Sequence, residues 1–259
     1  GEKKMEYKNI MVSTKDFVTT IVLNRPPMNS VNLGIREELF NAVNEIETSR
    51  ETRAVIITGA GEKGFSAGMD VSDIANITKG PDGNQIMNAI ANSTKPFIAA
   101  INGHALGGGC ETALACHFRL MTDNPKAMIG LPEINLGITP GWGGIHRMPR
   151  VIGKSRALDI ILFSKRLSAQ EALAVGLVDK VVPAADLMKE AEAFATALAK
   201  RPPLAVAAVL SGMNTGLEKG IEEGLRKDSE WAPKIISSKD AMEGMTAFLE
   251  KREPLFKGE

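Results

Sequence analysis

The chain has 259 residues, 44% of them hydrophobic and 24% charged, with 31 basic against 31 acidic side chains. That length predicts one large domain or two smaller ones, and the near-average composition argues against disorder, collagen and coiled coil. A net charge of zero argues against a polyanion partner, and no run reaches the roughly 18–20 apolar residues of a membrane span.

In chain order, the opening lysines are followed by no apolar run, so the N-terminus does not read as a secretory leader. Val18-Thr19-Thr20-Ile21-Val22-Leu23 is β-branched almost throughout and closed by Asn24-Arg25-Pro26-Pro27, which predicts a strand. Ile35, Leu39, Val43 and Ile46 then share one helical face. Arg53–Thr58 and Pro96–Ile101 read as fully buried strands, and both run into glycines. Gly107-Gly108-Gly109 leads into a helix that is apolar on almost every side, and Arg119–Thr122 is a further short strand. Ser168 with Glu171 forms a capping box whose helix Gly176 closes, and Val178–Val182 is a last strand. Helix formers dominate from 184 to the end. Strands interleaved with helices predict an α/β architecture, divided as a core over 1–183 and a helical, oligomerising segment over 184–259. Cys110 and Cys116 lie too far around a helix to face each other and read as buried thiols of a reducing, cytoplasmic compartment.

Several glycine patterns imitate other chemistry. Gly59-Ala60-Gly61-Glu62-Lys63-Gly64 has the spacing of a dinucleotide fingerprint, but no helix opens after it and no acid ends a strand about 20 residues on. Gly64-Phe65-Ser66-Ala67-Gly68 has the spacing of a hydrolase nucleophile elbow, yet glycines separate Ser66 from the preceding strand. Ile152-Gly153-Lys154-Ser155 lacks the first glycine of a P-loop, with Met148 in its place. His104, His117 and His146 are too scattered for an HExxH metal motif and read as core or surface histidines.

Two carboxylates stand among the remaining glycines. Glu111 is the only acid or base between Lys95 and Arg119 apart from two histidines, on a helix expected to be buried, where burial should raise its pKa. A plain helix-capping glutamate is the competing reading. Glu133 follows Gly130-Leu131-Pro132 and alone would pass for a surface or helix-start residue. Its weight comes from the pair, because one acid per glycine-rich loop is the raw material of general acid and base work. Bare glycine loops also expose N–H groups that can hold a developing oxyanion.

These blocks together resemble the crotonase (enoyl-CoA hydratase/isomerase) family. They are Asn24-Arg25-Pro26, Gly64-Phe65-Ser66-Ala67-Gly68-Met69-Asp70, Asn102 to Glu111, Pro132 to Gly137, Pro140-Gly141-Trp142-Gly143-Gly144 and Ala247 to Arg252. The resemblance implies a spiral of ββα units with a helical C-terminal segment, assembled as homotrimers or hexamers. It implies an acyl-CoA substrate, with no metal or redox cofactor and coenzyme A as part of the substrate. The implied activity is hydration of the 2,3 double bond of an enoyl-CoA. The alternatives are double-bond isomerisation and hydrolysis or dehydration of a branched or cyclic acyl-CoA; more remotely, an RNA-binding homologue. Carried over by position, Glu111 and Glu133 are the catalytic acids, and the N–H groups of Ala67 and Gly108 are the oxyanion hole. Arg25, Ala67, Gly68, Met69 and Asp70 would line the CoA site, with Gly141 holding water through its N–H. Lys251 would reach CoA from its own or an adjacent subunit. Trp142 stands where hydratases usually carry a small residue, and the 123–131 segment resembles that of the isomerases.

Overall fold

The computed structural model describes residues 7–259; the early Lys3 and Lys4, read above for a leader, lie outside the described residues. A hairpin of β1 (Ile10–Lys15) and β2 (Val18–Leu23) leads into α1 (Leu33–Thr48), which buries Ile35, Leu39, Val43 and Ile46 as their spacing predicts. Three turns follow in which a longer strand, a short strand and a helix recur. The first is β3 (Ala54–Gly59), β4 (Gly64–Ser66) and α2 (Gly83–Ala91). The second is β5 (Phe97–Ile101), β6 (His104–Leu106) and α3 (Gly108–Ala115). The third is β7 (Phe118–Thr122), β8 (Ile129–Gly130) and, after a single 3-10 turn at Glu133–Leu136, α4 (Gly144–Ile152).

The longer strands, with the three-residue β10 (Lys180–Val182) at the edge, make a six-stranded sheet in the order β1-β2-β3-β5-β7-β10, parallel except for the hairpin. The short ones stack as a second sheet, β4-β6-β8 with β9 (Arg166–Leu167) antiparallel at its edge. This is the ββα spiral. α5 (Lys154–Leu162) precedes β9, and α6 (Ala169–Val175) lies between β9 and β10, opened by the Ser168–Glu171 capping box and closed by Gly176 in the left-handed conformation.

The large sheet is buried on both faces, which is why β3 and β5 read as unbroken apolar runs. Val55, Ile57, Phe97 and Ala99 face one core with α1 and α2, while Ala54, Ile56, Ile98 and Ala100 face the other. The second core is covered by α7 (Leu187–Ala199), whose Leu187, Ala191, Ala195 and Ala199 recur every four residues. Alanines there let the helix axis approach the strands closely. Beyond it lie α8 (Pro203–Lys219), α9 (Ile221–Ile236) and α10 (Lys239–Glu250). No single helix among the described residues is long and apolar enough to cross a membrane.

The strand read at 178–182 begins only at Lys180. The strands of the second sheet, together with β1, α2, α4 and α5, were not legible from periodicity. Strands of two or three residues are too short to display a period, and β1 has one buried residue in six.

Candidate active site

The site forms where the three spiral turns bring the ends of β4, β6 and β8 side by side. After β6 the chain must reverse into α3, and Gly107 does so at φ +55°, a conformation that disfavours any side chain. Close approach fixes its neighbours. A Cβ on Gly109 would sit 2.1 Å from the Ser66 carbonyl oxygen, and one on Gly68 would sit 2.5 Å from the Gly108 nitrogen. The loop after β4 and the turn after β6 therefore touch backbone to backbone.

This contact decides which N–H groups are free. Gly107 N–H donates to the Gly130 carbonyl, whereas Gly108 N–H, at the first position of α3, makes no hydrogen bond among the described residues. Ala67 is a correction to the sequence reading. Its N–H donates to the Met28 carbonyl at 2.9 Å and is not available to a ligand. Two residues on, Met69 lies in a parallel bridge with Val31 in which Val31 N–H donates to Gly68 and Asp70 N–H donates to Val31. That pattern skips Met69, whose N–H is unpaired among the described residues. Met69 and Gly108 thus each present an unpaired N–H from adjoining loops, and such a pair can hold a developing oxyanion.

Glu111 lies one turn into α3 and is 2% exposed. Its Oε1 accepts from the N–H of Trp142 (2.7 Å) and of Gly144 (2.8 Å), where the chain enters α4. Burial pushes its pKa up, and these two N–H groups pull it back towards the carboxylate. The helix-cap reading of Glu111 gives way to this longer-range grip. Glu133 opens the 3-10 turn, with its Oε1 3.0 Å from where a Cβ on Gly107 would be. Its Oε2 is buried and has no hydrogen-bond partner. Burial, with the Glu111 charge adding to it, pushes Glu133 up to about 7. The two acids thus differ: one is anchored as an acceptor by backbone donors, the other is poised near neutrality with an idle oxygen.

Trp142 and Gly141 join them from the loop before α4. The Trp142 indole packs on Gly108, and Gly141 N–H is unpaired among the described residues. Three further residues hold this loop, and sequence spacing gave no hint of them. Asn84 donates to the Gly141 carbonyl (2.9 Å), and Arg147 donates both to the Trp142 carbonyl (2.9 Å) and to Asn88 (2.6 Å). Arg25 and Asp70 pair with each other at 2.6 Å beside the same loops. Hydrogen bonds from Ser72 and then Arg25 hold the Asp70 carboxyl below its ordinary range. Lys251 is not brought to this group; it closes α10 in the left-handed conformation, without an ion pair or side-chain hydrogen bond to the glycine loops.

The imitation motifs resolve in the same geometry. Ser66 is fully buried, donates to the Asn29 carbonyl (2.8 Å) and accepts from Gly68 N–H (3.1 Å), so its hydroxyl is spent on the loop. After Gly59-Ala60-Gly61 the chain enters a strand, not a helix. His117 accepts from the Phe97 N–H and is pushed down to about 4 by burial. Among the described residues no three His, Cys, Asp or Glu side chains gather as a metal site.

Residues 13–259 match the family model described as enoyl-CoA hydratase/isomerase. The chain belongs to the enoyl-CoA hydratase/isomerase family. It is 38% identical over 256 residues to the short-chain-enoyl-CoA hydratase of Clostridium acetobutylicum, covering 96% of this chain and 97% of that one. The crotonyl-CoA hydratase of Syntrophomonas wolfei is 36% identical over 259 residues, at 97% and 99% coverage. A crystal structure of enoyl-CoA hydratase from Bacillus anthracis superposes with a TM-score of 0.90 at 39% identity, covering 97% of this chain and 100% of its own. Family membership thus accounts for the spiral as well as the glycine loops.

Proposed function

We propose that this family member is an enoyl-CoA hydratase, adding water reversibly across the 2,3 double bond of an acyl-CoA thioester. The observation that carries the reading is the pair of unlike glutamates beside two unpaired N–H donors. The thioester oxygen accepts from Met69 and Gly108 N–H, so negative charge developing on it as the β-carbon is attacked is held without solvent reorganisation. Glu111, kept as an acceptor by the Trp142 and Gly144 N–H groups, takes a proton from water through its other oxygen, with Gly141 N–H steadying the water. Glu133, near half-protonated at neutral pH, delivers a proton to the α-carbon and is the acid of the pair.

In this reading coenzyme A arrives and leaves with the substrate, and no resident cofactor or metal is needed. Arg25 and the 67–70 loop run along the CoA portion, and Lys251 contributes from an adjacent subunit of a trimer or hexamer. Exposed apolar side chains on α8–α10, among them Met213, Leu217, Leu225, Phe248 and Leu249, support burial of that face between copies. A soluble substrate of this kind suits a cytoplasmic enzyme.

The test is each acid's removal, assayed on a 2-enoyl-CoA and a 3-enoyl-CoA of equal chain length. Glu111→Gln keeps an oxygen for both backbone donors but loses the base, so hydration should fall by about 10³-fold while any isomerase activity survives better. Glu133→Gln should damage both reactions. Normal hydration by Glu111→Gln, with Glu133→Gln alone inactive, would make isomerase the better name.

A further inference from the structure

The Trp142 indole is wedged between two glycines of different elements. A Cβ on Gly83, in the first turn of α2, would lie 2.1 Å from Cγ and Cδ1 of the ring, and a Cβ on Gly108 would lie 2.4 Å from Cζ3. Neither glycine has a positive φ, so backbone conformation does not require glycine at either position. What both provide is room for the ring. The five-membered side rests on α2 and the six-membered edge rests on the turn that carries the Gly108 donor.

The ring is also held from behind. The Trp142 N–H is committed to Glu111 and its carbonyl to Arg147, while the preceding carbonyl accepts from Asn84 on α2. These bonds fix the backbone from which the indole projects, and the close contacts with Gly83 and Gly108 confine the ring itself, so it acts as a wall between α2 and the Gly108 turn. In front of it lies a cavity of about 230 Å³ whose lining includes Val31, Met69, Ile77, Gly83, Gly141 and Trp142. Ligand pockets usually measure about 300–1,000 Å³, so this one is small. Arg36, Asp73 and Asp82 also line it. The Arg36 guanidinium is already bound to the Asn76 and Pro81 carbonyls, and Asp73 to the Leu33 N–H. An alkyl tail pushed in that direction would lie against these charged groups and bury less apolar surface than it would against aliphatic side chains.

Resting on the hydratase reading for the position of the acyl group, we infer that Trp142 sets the acyl-size limit and confines this enzyme to short 2-enoyl groups. Replacing the indole by a methyl group frees space on the order of 100 Å³, enough for several methylenes, while the backbone N–H that holds Glu111 stays.

Two measurements run in parallel on wild type, Trp142→Ala and Trp142→Phe. The first is calorimetric binding of the saturated thioesters butyryl-CoA and octanoyl-CoA. The second is kcat/KM for hydration of crotonyl-CoA and 2-octenoyl-CoA. Wild type should favour the short chain by about 10-fold or more in both, and Trp142→Ala should move the long-to-short ratio towards the long chain by at least about 10-fold. Trp142→Phe should move it the same way by less, and it carries the test alone if the alanine variant does not fold. A merely structural tryptophan would lower both chain lengths together. A ratio unchanged in the variants, or a wild type indifferent to length, overturns the inference. Should wild type hydrate neither substrate while the binding ratio and its shift are as expected, the hydratase reading falls and the role of Trp142 stands.

Discussion

Replacing Glu133 by Gln should make the protein more stable at alkaline pH while making it a worse enzyme. Glu133 is partly buried, its Oε2 has no partner, and its pKa is raised from 4.5 to about 7. Between those two values the folded protein holds the proton that the unfolded chain releases. Stability from this group is therefore complete below 4.5 and lost as pH rises through 7. Carried through linkage, that rise corresponds to about 3 kcal/mol, and water reaching the partly exposed side chain reduces it to about 2 kcal/mol. Glutamine is neutral throughout and escapes the loss. Urea unfolding of both proteins at matched concentration, at about pH 5 and about pH 8, reads the difference directly. The variant's stability relative to wild type should increase by about 2 kcal/mol between those conditions. A difference that is constant across pH would refute the claim that Glu133 is held protonated by its surroundings, and with it the assignment of this residue as the acid.

The same titration predicts that wild-type kcat/KM for hydration falls as pH rises above about 7, because the proton for the α-carbon is lost, and a flat alkaline limb would contradict this. Gly108→Pro should lower hydration by about 10²-fold or more, since it removes the N–H and its ring crowds Gly68 and the Trp142 indole. Gly108→Ala brings a Cβ against the same indole but keeps the N–H, so it should lose less activity than the proline variant, and equal losses in two folded variants would oppose a role for the donor. Ser66→Ala should leave turnover within several-fold and cost about 1 kcal/mol of stability in unfolding measurements, because its hydroxyl serves to tie the loop to Asn29 and to the Gly68 N–H. Stoichiometric labelling of Ser66 by an acylating inhibitor would oppose that assignment.

Much of this molecule is determined locally. β2, β3 and β5 are legible because sheet burial on both faces demands β-branched and apolar residues without interruption, and α1 because a helix buries one stripe at fixed spacing. The Ser168–Glu171 box and Gly176 mark α6 for the same reason, since its ends are satisfied by residues within reach in sequence. Glu111 stood out because a carboxylate in an apolar stretch is expensive and needs a cause. Tertiary structure alone decided the rest of the site. The loop holding Ala67 and Met69 looks alike at both positions in sequence, yet Met28 and Val31, from a distant segment, take up the hydrogen bonds around one and leave the other free. Glu133 looks like a surface acid until Gly107 and Glu111 fold over it, and Trp142 looks like any loop aromatic until α2 and α3 close on its ring. Periodicity encodes which side of an element is buried. It does not encode which backbone groups meet when elements far apart in the chain are stacked, and a site made of unpaired N–H groups and displaced pKa values is built from those meetings.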